Sequence, residues 1–66
     1  KSAVFPGLSG SVILEYYDFP ESREVEIHPD GTYRVCVEVG TGLNFDQRLY
    51  ENDVSKQRAK EVVTND

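Results

Sequence analysis

The sequence predicts an α+β fold, a small antiparallel sheet of three to four strands in the order β-β-β-(β)-α with one C-terminal helix packed on one face. Three observations carry this reading. Residues 23–28 and 32–38 alternate apolar and polar side chains with period two. Pro29-Asp30-Gly31 between them is a tight-turn sequence. In the last segment Val54, Ala59, Val62 and Val63 form one narrow helical stripe.

The elements follow in chain order. Residues 1–10 read as a lead-in. Pro6-Gly7 and Ser9-Gly10 are turn formers, and no periodicity extends beyond Val4 and Phe5. Residues 11–17 read as the first strand, with Val12, Leu14 and Tyr16 on one face and Ile13, Glu15 and Tyr17 on the other. Bulk on both faces suits a central strand or one covered on both sides. The break at 18–22 holds Pro20, flanked by Asp18 and Ser22, which supply local turn bonds.

The second strand turns Val25 and Ile27 one way and Glu24, Glu26 and His28 the other. After the turn, Tyr33, Val35 and Val37 share a face, and Thr32, Arg34, Cys36 and Glu38 share the opposite one. The hairpin places Arg34 across from Glu24 or Glu26, a favourable pairing. Gly40-Thr41-Gly42 ends the third strand, and residues 43–50 read as a short fourth strand or an extended cover, with Leu43, Phe45 and Leu49 toward the sheet. Asn52 or Asp53 is placed to cap a helix over residues 54–63, and Asp53 in its first turn suits the helix dipole. A stripe this narrow is not stable in water alone, so the helix docks on the sheet.

The chain has 66 residues, enough for one domain. A chain this short buries only about 60% of the surface its unfolded state exposes, so a partner, self-association or a longer parent chain would add stability. Neither Gly nor Pro follows Val62 and Val63 to stop the helix. The segment therefore reads as a piece of a longer protein or as a frayed terminus. Twelve acidic against seven basic residues give a net charge of −5, which disfavours direct nucleic-acid binding. Cys36 is the single cysteine, so no internal disulfide forms, and a cytoplasmic location is expected. No apolar run approaches the roughly 18 residues of a membrane span, and no membrane association is expected.

The residue types that carry chemistry are sparse. His28, the one histidine, sits before the turn near Glu26 and Asp30, where an exposed strand-end imidazole is the expected role. Cys36 lies mid-strand between Val35 and Val37, as a small half-buried hydrophobe does. Arg34 on its face is the cation that would be needed to activate it. One His and one Cys match no zinc spacing. Glu15, Asp18, Glu21, Glu24 and Glu26 follow no calcium-loop pattern. Gly40-Thr41-Gly42 lacks the lysine of a phosphate loop. Tyr16, Tyr17 and Tyr33 lack the basic neighbours of an RNA-stacking platform. No catalytic residue, no metal and no cofactor is expected.

Pro6 to Gly10, Leu14-Glu15-Tyr16, residues 24–27, Pro29-Asp30-Gly31, residues 33–37 and residues 54–63 together carry a resemblance. Across residues 4–63 the chain resembles a set of short uncharacterised bacterial proteins. They share a Pro-x-x-x-Gly lead-in, a strand ending in Leu-Glu-Trp or Leu-Glu-Tyr, an alternating strand, a Pro-Asp-Gly turn, a Tyr-containing strand and a final helix. Tyr16 stands where Trp is common, and the usual Pro before the last helix is missing. The set has no assigned activity. It looks like accessory products of small gene pairs, and the resemblance implies a protein partner.

The functional expectation is a non-enzymatic protein-interaction or accessory module, binding a protein partner or a second copy of itself. An open edge of residues 11–17, with Ile13, Tyr16, Tyr17 and Tyr33, is the candidate interface. Two other readings stand beside it: a domain cut from a larger enzyme or regulator, and an acidic mimic of nucleic acid that binds a basic protein.

Overall fold

A computed structural model of the chain describes residues 2–41 and 44–64. Its strands are β1 (Ser2–Pro6), β2 (Val12–Asp18), β3 (Glu21–Ile27), β4 (Tyr33–Thr41) and β5 (Asn44–Val54), followed by the helix α1 (Lys56–Thr64). Each strand pairs antiparallel with the next, giving one sheet ordered β1-β2-β3-β4-β5. The α+β architecture matches the sequence reading, but the sheet has five strands rather than three to four.

The first additional strand is β1, within residues expected to be a lead-in. Val4 lies opposite Leu14 and Phe5 opposite Ile13. β2 offers apolar partners on both faces, and pairing supplies the order that the local sequence lacks. β2 therefore has a neighbour on each side, and the expectation that it forms an open edge is overturned. The bulk on both its faces is that of a central strand, and the sheet edges are β1 and β5.

The β3–β4 hairpin turns on Pro29-Asp30-Gly31. Gly31 N donates to His28 O at 3.0 Å, and Gly31 adopts φ of 92°. Asp30 Oδ1 accepts from the Thr32 amide at 2.9 Å and the Thr32 hydroxyl at 2.7 Å, which holds the Asp30 carboxyl below its usual range. The β2–β3 link is the pair Phe19-Pro20, joined by a cis peptide, and Pro20 O accepts from Gly40 N at 2.9 Å.

Asn44–Val54 settles the ambiguous segment as a strand, and β5 is longer than the expected 43–50. The expected packing of Leu43 and of the Phe45 side chain lies outside what the structure describes. The β4–β5 register slips between Val37 and Glu38 and again between Tyr33 and Val35. Asp53, at φ of 57°, lies in the second slip. The expected caps Asn52 and Asp53 therefore belong to β5. Ser55 caps the helix instead: its Oγ accepts from Arg58 N at 3.2 Å, and its carbonyl accepts from Ala59 N at 3.0 Å.

The core lies between α1 and strands β3 and β4. Val25, Val35, Val37, Ala59 and Val62 are buried there, with Leu14, Ile27, Tyr33, Leu49, Val54 and Val63 packed around them. Two arginines fasten the helix. Arg58 spans to Glu51 on β5 through two hydrogen bonds of 2.8 and 2.7 Å. Arg23 on β3 donates to the Val62 carbonyl near the helix end, where a cation also suits the dipole. Among the described residues no helix is long and apolar enough to cross a membrane.

Candidate binding groove on the helix face

The two faces of the sheet have opposite chemistry. On the face away from α1, Arg34 on β4 bonds Glu24 and Glu26 of β3 and lies 5.9 Å from the Tyr50 ring centroid. Glu15 stands across from Glu24, so this face is acidic around one arginine. Cys36 lies within it at 7% exposure, with Sγ 3.8 Å from Gln47 Oε1. Burial, and then the Glu38 and Glu24 carboxylates, push its thiol pKa up. Arg34 does share its face, as the sequence implies, but burial and these carboxylates outweigh its influence on the thiol.

His28 does not complete a proton relay. Ser11 Oγ lies 3.5 Å from His28 Nδ1, and Glu26 Oε2 lies 4.0 Å from the same nitrogen. A relay needs acid and nucleophile on opposite ring nitrogens. Among the described residues no group of three or more His, Cys, Asp or Glu side chains could hold a metal ion.

The helix face is apolar at its centre, has charged residues toward its margins, and is half covered. α1 packs over β3 and β4. Toward β1 and β2 the register puts the uncharged Ser2, Val4, Pro6, Val12, Leu14 and Tyr16 on this face, and Asp18 follows Tyr16 at the end of β2. Val4 is 68% exposed, Val12 41% and Tyr16 36%. Between this strip and the helix runs a groove of about 300 Å³. Leu14, Val25 and Ile27 floor it, and Ala59 and Val63 form the helix wall. Tyr16 and Tyr33 also line it, set two residue rows apart along the strands. Lys56 and Lys60 contribute the helix-side rim. A second hollow of about 170 Å³ shares Tyr16 and Val63 and is lined by Asp18, Glu21 and Arg23.

The structure divides the four candidate interface residues. Tyr16 and Tyr33 line the groove together. Ile13 and Tyr17 project from the opposite face, where Ile13 lies across from Glu26 and Tyr17 packs edge-on against Phe19 at 6.3 Å. Period two already separates Tyr16 from Tyr17, so one surface could not hold all four. Sequence reasoning missed Leu14, Val63, Lys56 and Lys60 as site residues. The signal available was the 56, 59/60, 63 spacing, which aligns the lysines beside the apolar stripe.

Fold and groove define a two-layer α+β domain whose single helix leaves half of an apolar sheet face open. Comparison of the chain with protein-family models, with curated proteins and with solved structures gave no match.

Proposed function

We propose that this domain is a non-enzymatic protein-interaction module and that it binds a partner through the open half of the helix face. The supporting observation is the strip of β1 and β2 beside the groove, which is uncharged from Val12 to Tyr16, in a chain of net charge −5. Contiguous apolar surface rimmed by polar groups is the common mark of a protein-docking site. Paired affinity captures from cell extract test the reading, one with the native sequence and one with Tyr16→Glu. A stoichiometric partner held by the first and lost by the second supports the groove. Equal capture by both removes it.

A second reading is favoured by the β1 edge. Among the described residues Ser2–Pro6 has a strand partner on one side only, and it carries no charged side chain. Such an edge accepts a strand, from a second copy in the simplest case. Sedimentation velocity over a concentration series tests it. A dimer abolished by Val4→Pro supports strand pairing, and a monomer at every concentration rules it out.

A further inference from the structure

We infer that the groove takes an acidic amphipathic α-helix of a partner protein, laid beside α1 so that its carboxylates meet Lys56 and Lys60. This rests on the groove being the binding surface.

Width gives the first argument. Five strands at about 4.8 Å spacing span about 19 Å between edge strands, and a helix with its side chains covers about 10 Å. α1 lies over β3 and β4, so the β1–β2 side has room for one more helix. Backbone chemistry gives the second. β2 is already paired on both sides and cannot hydrogen-bond a strand laid on its face. An extended segment there would bury unpaired amides, whereas a helix satisfies its own.

Charge gives the third. Among the described residues every arginine has a carboxylate partner: Arg23 at 2.8 Å, Arg34 at 2.7 Å, Arg48 at 3.0 Å and Arg58 at 2.7 Å. Lys56 and Lys60 are the described cations with no carboxylate within 4.0 Å, although the chain has twelve acidic residues. They stand four apart on one helix, both on the groove rim. A partner with Asp or Glu at the matching spacing neutralises both. A second copy's α1 would instead bring its own Lys56 and Lys60 to the same rim, so self-association through two helices is disfavoured.

A random dodecapeptide library displayed on phage is the probe. It is selected against the native sequence, Tyr16→Glu, Val4→Glu and the double variant Lys56→Glu/Lys60→Glu, each first checked for native circular dichroism. Val4 is well exposed, so its variant keeps the test open if Tyr16→Glu does not fold. The expected winners on the native sequence carry apolar residues at helical spacing with Asp or Glu alongside. They lose binding to the Tyr16 and Val4 variants. They bind the double-lysine variant about tenfold more weakly, and selection on that variant favours Lys and Arg instead. Winners that need the open face but are indifferent to reversing the lysines leave the groove standing and overturn the acidic helix. Winners that bind all variants equally, or no winners, remove the groove and the inference with it.

Discussion

Arg34 Nε lies 2.7 Å from Glu26 Oε1 across the β3–β4 pair, and the same guanidinium also bonds Glu24 two residues away on β3. One arginine thus holds two carboxylates of the acidic face. The contact keeps the Glu26 carboxyl below its ordinary value of 4.5. Thr32 does the same for Asp30, and Arg58 for Glu51. A carboxyl depressed in the folded state takes up its proton first in the unfolded chain, so folding loses stability as pH falls from the unfolded value through the folded one. Urea midpoints are expected to hold level from neutral pH to about pH 5 and to fall below about pH 4.5. Arg34→Gln is expected to lower the neutral midpoint and shrink the acid-side fall, because the largest cause of the lowered Glu26 pKa is then gone. An unchanged acid-side fall in that variant would contradict the assignment.

Val35 is fully buried between β3, β5 and α1, where Val25 faces it across the sheet. Val35→Ala removes two methyl groups from a site closed on every side. The expected loss is about 2 kcal/mol, or a fall in melting temperature of about 10 °C for a domain this small. Val12→Ala, on the open strip, is expected to cost less than about 0.5 kcal/mol. Thermal melts of the two variants check the contrast between the covered and open halves of one face.

The parts of the fold legible in the sequence are those whose order is local. Pro29-Asp30-Gly31 closes a hairpin with its own side chain and glycine, and period two fixes which way Val25 and Val35 point. β1 is different, because Val4 and Phe5 become a strand only by lying opposite Leu14 and Ile13. β5 is hidden by its register slips, since Glu38 faces Gln47 while Val37 faces Leu49 and Arg48 drops out of the alternation. The groove is a product of tertiary packing. Tyr16 and Tyr33 are far apart in sequence, and only the position of α1 over β3 and β4 makes them line one hollow with Lys56 and Lys60.

The helix start separates Ser55 from Asp53, two residues apart with different tasks. Ser55→Ala removes the bond to Arg58 N and is expected to cost about 1 kcal/mol, recovered by Ser55→Asp. Asp53 is in the left-handed region at φ of 57°. Asp53→Gly is therefore expected to hold or raise stability, by about 0.5 kcal/mol, and Asp53→Val to lower it. Were Asp53 the cap, Ser55→Ala would cost little and Ser55→Asp would have nothing to recover. Urea unfolding of the four variants decides between them.

Cys36 provides the last test, because burial and charge act on its thiol together. Its Sγ lies under the side chains of the acidic face near Gln47, and burial, Glu38 and Glu24 raise its pKa. The thiolate is the reactive form, so little of it exists in the folded state at neutral pH. Iodoacetamide at mildly alkaline pH is expected to label the folded protein at least tenfold more slowly than the urea-unfolded protein. The same shift has a stability consequence of opposite sign to that of the carboxylates. Above the ordinary thiol value of 9.0 the unfolded chain gives up the proton while the folded chain keeps it, so stability falls as pH rises through that window. Cys36→Val removes the titrating group and is expected to flatten that part of the alkaline fall. Rapid labelling of the folded state, or an alkaline fall identical in Cys36→Val, would mean that the thiol is open to solvent and that the acidic face does not close over it.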